Sequence, residues 1–358
     1  LELKDSIVVA GAVELGGGVL RSSGDSEVSG TLSLSSDASV EIAADKTLSY
    51  SGPEISLGQN SLTIEGGGKF FNSSALVLED GQSDLSLDGI GLISSVRVDA
   101  DSKEGRGLEL KKSAEITTLE LNKAAGLSIL EDPELSGTVK LNSGSSFTPS
   151  GAGTLASDID LAGGLLKVSD TRSLPGTLSL SASSQVEVSG ELTLSQSSGL
   201  GLGPHTLRLA GGGSLKITGN LKLDNELSEL VLGGVTLDKV SSTSSSKGLR
   251  VTGSSSVTNL TLLHPASLDV SEGTVLSGYV ELSSNGELNL TGPGEVSSAL
   301  SLSGGSLKAS ESSLWSGLWS QSSNASVEVA KDMALRYSGG TVSYTHLRAH
   351  ETDSYLVC

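Results

Sequence analysis

Few residues in this chain could do chemistry, and their spacing limits what they could do. Cys and Met occur once each and His four times in 358 residues. With a single Cys and no paired His, neither a zinc centre nor a Cys–His couple is expected. His205 follows Pro204 and His264 precedes Pro265, so both read as turn residues. Ser makes up roughly a fifth of the chain. It sits in turns and shows no G-x-S-x-G elbow, so the hydroxyls are not read as nucleophiles. Triple glycines at 16–18, 66–68 and 211–213 invite comparison with phosphate loops. None ends in Gly-Lys-Ser/Thr and none opens a helix, so they are read as tight corners. They also lack the GGxGxD pattern of calcium-binding coils. Asp99 and Asp101 could hold calcium loosely, but alternate loop acids are ordinarily solvated, and no metal or cofactor is expected. Trp315 and Trp319 lie where earlier copies of the pattern carry Pro175-Gly176 and nearby turn residues. They read either as an exposed carbohydrate platform or as a cap on an apolar coil.

The elements that must position these residues are short strands. Apolar-x-apolar triplets recur every six to eleven residues: Leu32-Ser33-Leu34, Val40-Glu41-Ile42, Leu62-Thr63-Ile64, and onward to Val327-Glu328-Val329. Period-2 alternation marks a strand with one buried face, and the Gly, Ser, Asn and Asp between triplets supply turns. No helical stripe with caps occurs. A longer rhythm overlies the short one. ASVEIAADKTLSYSG (38–52) returns as ASVEVAKDMALRYSG (325–339), a spacing of 287, with a weaker middle copy at SSQVEVSG. LGQNSLTIEGGG (57–68) matches LGPHTLRLAGGG (202–213), LSGTVKLNSG (135–144) matches LSGYVELSSN (276–285), and AGGLLKVS (162–169) matches SGGSLKAS (303–310). The period is 146, 145 or 141 by position, so residues 1–340 hold about 2.3 copies of a repeat of about 144.

Aromatics are 3% of the chain, so the core must be Leu, Val and Ile. That suits a narrow coil stacked on itself better than a sandwich with aromatic anchors. The prediction is an all-β fold, a parallel β-helix (β-solenoid) read as right-handed, with roughly 20–30 residues per coil. Residues 1–340 form one repetitive body, without meaningful internal boundaries.

Matched outward positions change freely between copies. Glu109 becomes Arg250, Lys140 becomes Glu281, Thr63 becomes Arg208, Ser86 becomes Val231 and Glu120 becomes Thr261. A solvated surface tolerates such swaps and a repeated catalytic site does not, so no catalytic residue is assigned. Two sets keep their charge: Glu41, Glu187 and Glu328, and Arg21, Lys167 and Lys308. They read as cross-coil ion pairs or a solubility device in preference to a repeated sugar or cation contact.

The ends read differently from the body. Leu1 is not an initiator Met, so the N-terminus reads as a cut. From Thr341 the patterning stops. VSYTHLRAHET, read back into codons, resembles a transposase-type sequencing adapter; Thr352–Tyr355 fit an eight-base index and Leu356-Val357-Cys358 fit flow-cell primer. Segment 341–358 is therefore expected to be a non-native tail outside the coil, with the native chain continuing past Gly340. Without it the protein has no Cys and carries 22 basic against 40 acidic residues, net −18. That balance argues against nucleic acid, and no apolar run is long enough to span a membrane as a helix.

In its Ser, Gly, Leu and Val richness, acidity, lack of Cys and long tandem period, the body resembles the passenger regions of large bacterial surface proteins, autotransporters and filamentous-haemagglutinin-like adhesins. No family signature is present, and no functional residue is carried over. The resemblance implies a secreted or surface-tethered rod. The leading expectation is a non-catalytic structural and adhesive rod contacting glycans or cell-surface components weakly but many times. A β-helical polysaccharide lyase or hydrolase is the alternative, and a pure spacer for domains outside the fragment the third.

Overall fold

The computed structural model describes residues 1–4, 6–103, 106–130, 134–340 and the backbone of 347–349. Every regular element among them is a strand. Almost all strand pairing is parallel, each strand pairing with its counterpart one coil later in the sequence. The fold is an all-β parallel β-solenoid, as the triplet rhythm predicts. Two compact units are distinguished: Leu1–Ser169 with Ser173–Ser179, and Asp170–Arg172 with Leu180–Cys358.

In the first unit one face is the ladder Val19–Ser22, Ala38–Ile42, Ser61–Glu65, Asp84–Asp88, Gly107–Leu110, Ala125–Ile129 and Ser146–Ser150. A second face runs through Thr47–Tyr50, Lys69–Asn72, Leu92–Val98, Ala114–Leu121 and Glu134–Asn142. The second unit repeats the arrangement. One face is built from Ser184–Val188, Thr206–Ala210, Glu229–Gly233, Ser246–Gly253, Ala266–Val270, Glu287–Leu290, Ser306–Ala309 and Ala325–Val329.

Strand register gives the coil lengths directly. Leu108 opposes Leu127, Ala125 opposes Phe147, Asp84 opposes Gly107 and Ala38 opposes Leu62, so coils hold 19 to 24 residues. The shifts in sequence period have a local origin. The coil from Ala38 to Leu62 takes 24 residues and its match from Ser184 to Leu207 takes 23, where the period falls from 146 to 145. The coil from Asp84 to Gly107 takes 23 and its match from Glu229 to Gly248 takes 19, where the period falls to 141.

The core is the inward column of each face. Leu20, Val40, Ile64, Leu87, Leu110 and Ile129 stack in one unit, and Leu207, Leu230, Leu249, Leu268 and Leu290 in the other, all nearly free of solvent contact. Each contributes about 1.5–3 kcal/mol by burial. The few aromatics join this core: Tyr50, Phe70, Phe147 and Trp315 are fully buried.

The strands differ from the sequence reading at the corners. Some are not triplets: Glu134–Asn142 and Val275–Ser283 run nine residues without a break. They turn the corner at Gly137 and Gly278, with φ of 104° and 120°, each opposite a register shift in the preceding strand. The triple glycines are corners, as expected. Gly66 and Gly67 have φ of 107° and 81°, Gly211 and Gly212 of 110° and 81°, and a Cβ on Gly66 would lie 2.4 Å from the Ile42 carbonyl oxygen.

In the tail, Leu347–Ala349 pairs in parallel with Ala325–Val327. The remainder of 341–358 lies outside the described residues. No helix among the described residues is long and apolar enough to cross a membrane.

Candidate functional site

Acids dominate the outer surface, and what they bind decides what they can do. Asp25, Asp37, Asp101 and Asp158 each sit at a coil corner. Each accepts a hydrogen bond from a backbone N–H at or just before the start of a strand in the next coil: Thr47 (2.9 Å), Ser61 (2.7 Å), Ala124 (2.9 Å) and Thr177 (2.7 Å). Ser113, Ser183, Ser254 and Ser312 do the same for Glu134, Thr206, Val275 and Ala334. These side chains satisfy donors that the parallel ladder leaves open at strand starts. Thr177 adds a hydroxyl bond to Asp158 at 2.8 Å, and both bonds hold that carboxyl below its usual range.

Asp99 and Asp101, the loop acids with calcium-ligand spacing, are thus engaged in the fold. Asp101 is a corner acceptor, and Asp99 belongs to a network on one outer face of the first unit. Arg97 donates Nη1 and Nη2 to the two oxygens of Glu54 at 2.6 and 2.9 Å, and Nε to Asp99 at 2.7 Å. Asn122 donates to Asp99 at 2.7 Å, and Asn142 donates to both Asn122 and Glu120 at 2.7 Å. Burial pushes the Asp99 carboxyl up, but the bonds from Asn122 and Arg97 outweigh it and hold it low. Glu54 is held low by the Arg97 guanidinium. In register, Arg97, Glu120, Lys140 and Asp160 form a column of alternating charge. The matched column of the second unit reads Ser241, Thr261, Glu281 and Ser301. One scaffold carries an ionic strip in one copy and a largely hydroxyl strip in the other. No group of three or more His, Cys, Asp or Glu side chains able to hold a metal converges among the described residues.

The charge-keeping sets resolve in the same way. Arg21 opposes Glu41 in register and binds it through Nε at 2.6 Å. Lys308 opposes Glu328 in register, but its ammonium binds Glu287 at 3.0 Å on the preceding coil. Lys167 and Glu187 are both engaged as well. Cross-coil pairing thus accounts for Arg21, Glu41 and Lys308.

One cleft in the first unit gathers two acids, Asp84 and Glu109, the second paired with Lys111 at 3.4 Å. It has a volume of about 280 Å³ and is bordered by Asp84, Arg106, Glu109, Ser128 and Ser150. Arg106 lies 3.7 Å from Asp84 and donates to Ser61 Oγ at 3.1 Å, and Ser86 donates to Glu109 at 3.2 Å. Burial pushes the Asp84 carboxyl up, with Glu109 adding to it and Arg106 opposing. A raised carboxyl beside a second acid is the arrangement general acid–base chemistry uses. The second unit does not reproduce it. Glu229 takes the place of Asp84 and Arg250 that of Glu109, and Arg250 binds Glu229 at 2.9 Å and Asp269 at 3.6 Å.

A larger groove, about 480 Å³, lies on the second unit along the corner formed by Ser284–Glu287, Gly304–Ser306 and Asn324–Ser326. Asn, Ser and Gly residues line it together with Pro265 and Ala325, and its acid, Glu287, is the one bound by Lys308.

Two positions read from sequence as outward or exposed are covered. Ser86 and Val231 are each only 7% exposed. Register places Val231 between Arg208 and Arg250 and Ser86 between Thr63 and Glu109 on the outward face. Trp315 is no platform. It is fully buried and donates its indole N–H to the Ser298 carbonyl at 2.7 Å. Trp319 is half-buried, meets Trp315 edge-on at 5.9 Å and stacks obliquely on Tyr337 at 5.0 Å. The spacing of 141 already held this signal, since it places Trp315 and Trp319 on the core positions Leu174 and Leu178.

Protein-family models, curated proteins and solved structures were all compared with this chain, and none of them matches it.

Proposed function

We propose that this chain is a non-catalytic structural repeat segment of a secreted or surface-attached protein, and that its outer faces make weak, repeated contacts with glycans or other surface components. One observation carries the reading: many outward acids and bases are spent on neighbouring coils. Asp25, Asp37, Asp101 and Asp158 cap strand starts, and Arg21, Arg97, Arg250 and Lys308 bind acids across coils. Side chains used in this way reinforce a stack and are withdrawn from reactivity. The Cys-free acidic body of residues 1–340 suits export in an unfolded state and solubility afterwards.

A polysaccharide lyase or hydrolase is the second reading, favoured by the raised Asp84 carboxyl beside Glu109. The two readings separate in a cleavage assay. The chain is incubated with polygalacturonate, alginate and a neutral β-glucan, and reducing ends and unsaturated uronates are measured. The structural reading expects no release above a heat-denatured control. Release that disappears in Asp84→Asn and Glu109→Gln would establish the enzyme instead.

A further inference from the structure

We propose that the corner groove walled by Asn285 and Asn324 is a binding subsite for a neutral saccharide, with a place for about two hexose rings. The proposal rests on the adhesive reading above and locates it.

Four observations lead there. Glu287, Ser306 and Ser326 are successive rungs in register, so Asn285, Gly304 and Asn324 lie on three consecutive coils at the same corner. At about 4.8 Å per rung the outer two are roughly 10 Å apart. The middle rung has no side chain. Gly304 has φ of 102°, and a Cβ on Gly305 would stand 2.6 Å from the carbonyl oxygens of Gly286 and Ser283, so the floor stays hollow. The walls are chemically open. Among the described residues, the side chains of Asn285, Asn324, Ser284, Ser306 and Ser326 make no hydrogen bond to the protein. A carboxamide both donates and accepts, as does a hydroxyl, which matches the hydroxyl groups of a sugar. Finally, the groove carries no uncompensated charge, because Glu287 is bound by Lys308. That selects a neutral glycan over a uronate. At the repeat spacing of 141 the glycine pair recurs as Gly163-Gly164, but Gly144 stands where Asn285 does and Ser183 where Asn324 does, and Ser183 accepts the Thr206 N–H. Neither Asn wall is present in that copy, so the site belongs to one copy.

The test uses the full chain with three probes, cellotetraose, β-1,4-mannotetraose and maltotetraose, and tetragalacturonate as charged comparator. Binding is read by saturation-transfer NMR and titration calorimetry. The expected result is binding of at least one neutral probe, weaker binding of tetragalacturonate, and a tenfold or greater loss of affinity in Asn285→Ala/Asn324→Ala. Both truncations remove side chains without partners, so circular dichroism and melting temperature should be unchanged. Asn285→Ser is the second variant should the double one destabilise the coil. Neutral binding that survives both variants would overturn this location and leave the adhesive reading standing, as would preference for tetragalacturonate. Absence of binding to all three neutral probes would overturn the saccharide subsite, while the adhesive reading would then rest on contacts with surface components other than these glycans.

Discussion

Glycine and aspartate at coil corners set the local limits of this fold. Gly278 has φ of 120°, and a Cβ there would lie 1.8 Å from the Val257 carbonyl oxygen; Gly137 stands in the same relation to Ile116. No side-chain adjustment relieves a backbone clash at that distance. Gly278→Ala should therefore cost about 3 kcal/mol or more, through positive-φ strain and overpacking together. The cost is read as a lower urea midpoint for the second unit. Asp332 makes the opposite case. It has φ of 64°, is exposed, and stands at the place of Asp45, whose φ is 63°. Asp tolerates the left-handed region poorly compared with glycine. Asp332→Gly should raise stability by up to about 1 kcal/mol in the same titration, and a fall would show that the carboxylate has a role its geometry does not reveal. Residue identity made the turn positions legible in sequence, but not their use. Asp99 and Asp101 look like loop acids in a linear reading. Their partners, Asn122 and Ala124, are 23 residues away and become neighbours only when the coil closes.

At the scale of the element, the strand triplets were the legible part. Alternation such as Ser61–Glu65, with Leu62 and Ile64 inward, fixes a half-buried strand wherever it occurs. The pairing partner was harder to read, because register between coils depends on coil length, and that varies from 19 to 24. The same physics hid the Glu54–Arg97 pair, which spans 43 residues, and the burial of Val231. Register also makes the coil the unit of tolerated change. Glu287 opposes Ser306, 19 residues on, so deleting 287–305 removes one whole coil and brings Ser306 to the position Glu287 held. Each inward residue then meets an inward residue on the coil before it. Deleting 287–295 shifts register by nine and turns apolar positions outward. The first deletion should leave a cooperative β circular-dichroism transition with a modestly lower midpoint; the second should abolish or broadly smear it. Equal damage from both would mean that the coils are not interchangeable stacking units. The first deletion also removes the middle rung of the saccharide groove, so its sugar affinity should be lost while the fold remains.

For the molecule as a whole, the decisive quantity is the acidic excess, net −18 over residues 1–340. A large like charge destabilises a compact chain, and the capping role of many acids offsets this locally. The pH response follows from which carboxyls are held low. Glu54, Asp99 and Asp158 lie below their ordinary values when folded. Their contribution is complete above the unfolded carboxylate range of about 4, and it is lost as pH falls through that range toward their folded values. Asp84 has the opposite sign: its folded carboxyl is raised, so ionising it costs stability, and acid removes that cost. Three depressed groups against one raised group predict a net loss of stability between about pH 5 and pH 2, measured as a falling thermal midpoint. Two variants separate the signs. Asp158→Asn should lower the midpoint at neutral pH and leave it unchanged near pH 2, where the wild-type acid is already protonated. Asp84→Asn mimics the protonated acid, so it should raise the midpoint at neutral pH and match wild type in acid. If Asp84→Asn instead lowered stability at neutral pH, the ionised carboxylate would be held by Arg106 more strongly than burial opposes it. The open cleft would then be a closed ion pair, and the case for acid–base chemistry there would go with it.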